Sequence, residues 1–112
     1  MSNHLLIFCT CPDHATAHTI ANYLVETNLA ACVTIQPQAT SVYRWQGNIE
    51  QANEHLLLIK TTTARYTELE QAITSKHPYA IPEIIAVPIQ HGLESYLTWI
   101  EQCTNTSLRE LL

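Results

Sequence analysis

The residues best suited to chemistry in this chain are two thiols, Cys9 and Cys11, separated by one residue. Alternate residues of a strand point to the same side, so both sulfurs face one way if a strand carries them. Thiolates are soft ligands that suit Cu(I) and Zn²⁺. The C-x-C spacing differs from the C-x-x-C of zinc ribbons and copper chaperones. The pair therefore indicates either a metal site or two small thiols packed beneath a helix.

A second group of candidates surrounds the loop from His77 to Glu83, which contains two prolines and no glycine. Such a loop holds its side chains with little entropy to lose on binding. His77 is either a ligand or a helix-terminal residue whose imidazolium complements the helix dipole. Glu83 is a candidate ligand or acid–base group, or else a solvated carboxylate. His14 and His18 are one helical turn apart, close enough to chelate a metal, but their position opposite an apolar stripe favours a solvated face.

Aromatic and basic residues form a third group of candidates, for a binding cleft. Tyr43 and Trp45 share one face of a predicted strand near a hairpin tip, where an aromatic pair binds a ligand or packs against another subunit. Lys60 follows an apolar run, and its amine either binds an anion or extends to solvent from a packed stem. With Tyr79 in the loop after His77, these residues are the candidates for binding a small molecule or a protein partner.

Length and composition exclude several classes of function. The 112 residues suit one domain, and a hydrophobic content of 46% argues against intrinsic disorder. The net charge of −5 argues against nucleic-acid binding, which needs clustered Lys and Arg. The sequence has no apolar run long enough for a membrane span and no secretory pattern, so we expect a cytoplasmic protein with reduced thiols.

Catalytic patterns are equally scarce. Two glycines practically exclude a phosphate-binding loop, and we find no G-x-S-x-G or Ser–His–Asp order. Cys9 beside a histidine would supply a nucleophile and its base, but nothing in the sequence provides an oxyanion site. We therefore expect a protein that is not an enzyme.

The elements that must position these residues follow the order β-α-β-β-α-β, with a third helix at the end. This order predicts an α+β fold, a ferredoxin-like sandwich with a long central hairpin and an extra C-terminal helix. Pro37 is expected to bend or bulge the second strand. Pro88 is expected to place the fourth strand at an edge, or to lie near the end of that strand. The domain spans residues 1–112, with an ordered core over about 5–102 and a loosely held tail over 104–112. The predicted strands cover residues 5–9, 31–35, 41–45, 49–61 and 84–87.

The predicted helices follow from apolar periods and from prolines. The first has Pro12 in its first turn, runs to about residue 28 and buries one stripe, formed by Ala17, Ile20, Ala21 and Leu24. The second has its N-cap candidates in Thr61–Thr63 and ends near residues 76–77, because Pro78 disfavours a helical residue before it. The third covers about residues 93–102, where apolar residues recur with a helical period.

Surface composition predicts self-association. Charged residues make up 13% of the chain, about half the usual fraction. The segment Leu56–Ile59 is apolar on both faces of its strand, whereas two helices cover only one face of a four-stranded sheet. The other face and the long hairpin therefore require a partner subunit.

Several motifs together resemble the CutA family of divalent-cation tolerance proteins. The resemblance covers about residues 5–102 in collinear order, and several of its motifs are distinctive. They are Cys9-Thr-Cys-Pro-Asp13, Leu29-Ala-Ala-Cys-Val33, Ser41-Val-Tyr-Arg-Trp-Gln-Gly47, Lys60-Thr-Thr62, His77-Pro-Tyr-Ala-Ile-Pro-Glu83 and Tyr96-Leu-Thr-Trp-Ile100.

The resemblance implies a stable homotrimer, built like the PII signalling proteins, that binds copper or another divalent cation such as Zn²⁺ at clefts between subunits. By position, Cys9 and His77 are the implied ligands and Glu83 a weaker third. Cys11 stands where the family commonly has a small residue without a thiol, and it would add a soft ligand. Lys76 stands where some members have a second histidine. The alternative is a PII-like regulatory or scaffolding trimer, with a small molecule or a protein in the cleft and adventitious metal binding.

Overall fold

A computed structural model describes residues 3–105, which form one antiparallel sheet and three α-helices. The strand order is β2-β3-β1-β4, so β4 lies at one edge, as Pro88 predicted. The order of elements and the α+β class are those expected from the sequence. The elements are β1 (His4–Cys11), α1 (His14–Glu26), β2 (Cys32–Trp45), β3 (Asn48–Thr62), a short 3-10 helix (Thr63–Arg65), α2 (Tyr66–Lys76), β4 (Ile84–Pro88) and α3 (Glu94–Thr104).

Helix α1 begins immediately after the thiol pair. Its N-cap is Asp13, whose side chain accepts a hydrogen bond of 2.7 Å from the Thr16 amide. The predicted start was slightly early, because Pro12 precedes the cap and does not occupy the first turn. The buried residues of the helix are those of the predicted stripe, namely Ala17, Ile20, Ala21 and Leu24.

Helix α2 starts differently from the prediction. The threonines of Thr61–Thr63 were expected to cap it, but within residues 3–105 no side chain caps the 3-10 turn or α2. The hydroxyl of Thr61 is buried and donates instead to the Leu29 carbonyl, at 2.6 Å. The helix ends at Lys76, because Pro78 disfavours a helical conformation at His77, which is extended.

The hairpin of β2 and β3 dominates the shape of the subunit. Pairing continues to Trp45 and Asn48, and the tip turns at Gly47 with a φ of +84°. The register shifts between Gln36 and Ala39, which confirms the bulge predicted at Pro37. The overhang makes the molecule elongated, with extents of 51 × 26 × 22 Å.

The two faces of the sheet are covered unequally. Buried residues of β1 and β3, such as Ile7 and Leu57, pack with α1 and α2 in the main core. Helix α3 lies across the opposite face, where burial and the neighbouring Cys32 raise the pKa of Tyr96. On the same face, Oε2 of Glu101 lies 3.7 Å from Nε2 of His4. This helix therefore covers part of the sheet face that was expected to need a partner subunit.

Most of the exposed apolar residues lie on the hairpin, on or beside β4, and on or beside α3. The chief ones are Val42, Tyr43, Trp45, Ile49, Ile81, Ile85, Val87, Leu93 and Trp99. Thr104 ends α3 and is buried, while residues 106–112 of the predicted tail lie outside the described residues. Within residues 3–105, every helix is too short or too polar to cross a bilayer.

Candidate metal centre

The thiol pair and His77 meet at the end of β1. Cys9 and Cys11 point to the helix-covered side of the sheet and are fully buried. His77 follows α2 and is 8% exposed. One ligand atom from each residue lies within 4.8 Å of the other two, and the part of the chain that the structure describes contains no other such group of three. The fold thus joins the two motifs that the sequence left separate.

Hydrogen bonds hold the His77 ring in one orientation. Nε2 lies 2.7 Å from the carbonyl oxygen of Thr10, the residue between the two thiols. Nδ1 accepts a hydrogen bond of 3.1 Å from the Tyr79 amide. Since the carbonyl only accepts and the amide only donates, the ring is neutral with its proton on Nε2. Binding a metal therefore replaces the Tyr79 amide at Nδ1, or removes the proton from Nε2.

The two thiols are electrostatically coupled. The pKa of Cys9 is raised, chiefly by its hydrogen bond to Cys11 and then by burial and by the charges of Cys11, Glu83 and Glu54. The same hydrogen bond lowers the pKa of Cys11. The first proton thus leaves this pair more readily than the second. A bound cation would compensate both thiolates, because coordination deprotonates a thiol outright.

The spacing of the three ligand atoms fits a metal ion. With bonds of about 2.3 Å to sulfur and 2.0 Å to nitrogen, ligand atoms around a tetrahedral ion lie about 3.5–3.8 Å apart. The atoms of this site lie within 4.8 Å of one another and therefore need to approach by about 1.3 Å at most. Small side-chain rotations achieve this, and the Thr10 carbonyl already orients the imidazole in the way that outer contacts orient metal-binding histidines.

A buried carboxylate beside the site was absent from the sequence-based candidates. Glu54 is 5% exposed, and its Oε2 accepts a hydrogen bond of 3.1 Å from the Tyr79 hydroxyl. Burial and the charge of Glu54 raise the pKa of Tyr79 to about 12. Tyr79 therefore links the loop after His77 to β3, with its ring 4.8 Å from the His77 ring.

Replacing Tyr79 with Phe is expected to lower the free energy of unfolding by about 1 kcal/mol, because Glu54 loses a hydrogen bond in a buried position. The backbone amide that bonds to His77 remains. Chemical denaturation measures the change, and Tyr23→Phe is the matched control, since Tyr23 is exposed to nearly the same extent, 37% against 39%. Equal effects of the two substitutions would contradict a role for this bond.

The remaining predicted site residues lie outside the cluster. Glu83 is exposed and affects Cys9 only through its charge. Trp45 lies at the hairpin tip, whereas Lys60 pairs with Cys32 near the other end of the hairpin, about 40 Å away at 3.3 Å per residue. The Lys60 amine donates to the Thr34 hydroxyl at 2.6 Å. Tyr43, near the tip, is 44% exposed. One subunit alone therefore does not unite these residues in a cleft.

The family model for the CutA1 divalent ion tolerance protein matches residues 5–103. The chain belongs to this family. A divalent-cation tolerance protein CutA from Thermus thermophilus is 46% identical over 99 residues, which are 88% of this chain and 96% of that protein. The names of such relatives describe tolerance to cations and not a catalysed reaction.

Solved structures of CutA proteins match the fold closely. CutA from Xylella fastidiosa superposes with a TM-score of 0.91 at 47% identity, covering 93% of this chain and all of that one. A CutA from Archaeoglobus fulgidus, whose description calls it periplasmic, gives a TM-score of 0.88 at 37% identity over 91% of this chain and 99% of that one. The four-stranded sheet with three helices is therefore the CutA fold.

Proposed function

We propose that the protein contributes to cation tolerance by binding copper as Cu(I), or another thiophilic cation such as Zn²⁺, through Cys9, Cys11 and His77. The observation that carries this proposal is the convergence of their ligand atoms within 4.8 Å in a buried site. Two sulfurs and one imidazole are a soft ligand set. Lys76 stands where some family members have a second histidine, and Cys11 adds a thiol that shifts preference towards thiophilic ions.

The residues of the chain act on the cation in distinct ways. The thiols supply negative charge and release protons as the ion binds, so uptake weakens as pH falls. Thr10 orients the imidazole through its carbonyl, and the buried surroundings exclude competing water. Three protein ligands leave the site open to exchange, unlike a closed structural zinc site with four.

The proposal includes a homotrimer, in which clefts between subunits border the metal sites. Support comes from the two edge strands, β2 and β4, which present unpaired backbone groups and adjoin exposed apolar residues. Two different edges pairing head to tail generate a ring. We also propose a cytoplasmic location, since all four cysteines are free thiols, which suits a reducing compartment.

Native mass spectrometry of the reduced protein, titrated with Cu(I) and with Zn²⁺, tests the function. We expect a trimer that takes up one ion per subunit in saturable steps. Cys9→Ser is expected to weaken binding at least about tenfold, because it removes a direct ligand. His77→Ala is expected to act similarly.

Cys103→Ser is the matched control, because Cys103 is a free thiol on α3, outside the cluster. It is expected to leave uptake unchanged. Two results would contradict the metal-binding function. One is a loss of metal uptake in Cys103→Ser equal to that in Cys9→Ser, and the other is unsaturable metal uptake that persists in Cys9→Ser and His77→Ala. The regulatory alternative, with a ligand in a cleft around Tyr43, Trp45 and Lys60, would then take its place.

A further inference from the structure

Three imidazoles cluster on the surface beside the buried thiol site. The rings of His14 and His18 on α1 stack, with centroids 4.0 Å apart and planes inclined by 28°. The ring of His55 on β3 meets the His14 ring edge-on, at a centroid distance of 6.1 Å. His55 is the cross-strand partner of Cys11, so the cluster borders the thiol site without sharing its ligands.

One nitrogen atom of this cluster gives a reason to expect a ligand. Nδ1 of His55 is buried and lacks a hydrogen-bond partner among the described residues. A buried polar atom without a partner destabilises the folded protein, because it has lost its hydrogen bonds to water. In native proteins such an atom calls for an explanation, and an ion is one of the usual ones.

The surroundings favour a cation. His14 and His55 line a pocket of about 580 Å³ together with the carboxylates of Asp13 and Glu54. Within that pocket the acidic side chains supply negative charge, while the imidazoles supply nitrogen donors. Among the described residues, no lysine or arginine lines this pocket.

We propose that His14, His18 and His55 form a second, surface site for a borderline divalent cation such as Ni²⁺, Zn²⁺ or Cu²⁺. Imidazole suits these ions, and two histidines one helical turn apart form a recognised chelating pair. Rotation of one stacked ring turns a nitrogen of each towards a shared ion, and His55 adds a third donor from β3. The three rings are spread more widely than the ligand atoms of the thiol site. A cation therefore binds here more weakly than at the thiol site and exchanges faster with solvent. This site does not depend on the proposed function.

Ni²⁺ is the probe, because it prefers imidazole to the soft thiol site. Long-range ¹H–¹⁵N spectra of the full-length protein are expected to lose the ring signals of His14, His18 and His55 before those of His77 and His91 as Ni²⁺ is added. Calorimetry is expected to show affinity lowered at least about tenfold in His14→Ala and in His18→Ala, and several-fold in His55→Gln.

His91→Ala is the matched control, since His91 is exposed and outside the cluster; its Ni²⁺ affinity is expected to be unchanged. Unaltered binding in His14→Ala and His18→Ala, or equal weakening in His91→Ala, overturns the proposal. Retention of Ni²⁺ in a Cys9→Ser/Cys11→Ser double variant supports it, and loss there assigns Ni²⁺ to the thiols and overturns it. Failure of Cu(I) uptake with intact Ni²⁺ binding contradicts only the proposed function.

Discussion

Replacing Val87 with Lys is expected to dissociate the proposed trimer. Val87 lies on the edge strand β4, pairs with Leu6 of β1 and is 42% exposed in the subunit. Burying a lysine charge at a subunit interface without a partner costs several kcal/mol. Each subunit of the ring carries the substitution, so the cost applies at every interface. At micromolar concentration we expect sedimentation to show mainly monomers.

Val25→Lys provides the matched control for this experiment. Val25 has the same exposure, 42%, but belongs to α1 and to neither edge strand. It is expected to leave the trimer intact, because the new amine remains in water. Dissociation by both substitutions would indicate general destabilisation, and a trimer that persists in Val87→Lys would place the interface elsewhere.

Replacing Leu57 with Ala is expected to lower the free energy of unfolding by about 3–5 kcal/mol, since a buried leucine leaves a cavity that its neighbours fill only in part. Leu57 is fully buried on β3 and pairs across the sheet with Cys9. The loss is a large share of the stability of a small domain. Denaturant unfolding at one fixed protein concentration measures it, because association also contributes to stability.

Leu93→Ala is the matched control, with the same atoms removed from a side chain that is 74% exposed. We expect a change within about 0.5 kcal/mol, as for most surface substitutions. A comparable loss in both variants would show that Leu93 is buried in the assembly. A small loss in Leu57→Ala would contradict the core described above.

The sequence by itself determined the order of the elements and the side of the strand on which the thiols lie. These are local properties: alternation places Cys9 and Cys11 on one face, a 3.6-residue period selects the buried stripe of α1, and Pro37 disrupts pairing. The C-terminal limit of α2 followed from Pro78 in the same way. The family motifs added Cys9 and His77 as one implied ligand set.

Only the tertiary structure decided which of these residues meet. The bond from His77 to the Thr10 carbonyl, the burial of Glu54 against Tyr79 and the approach of His55 to His14 join residues far apart in the chain. Helix α3 likewise shows an apolar period in sequence, but its choice of sheet face depends on the packing of Tyr96 near Cys32. Local periodicity specifies which side of a helix or strand is buried. Which other element packs against that side is decided by the free energy of packing and by the hydrogen bonds that buried polar groups require.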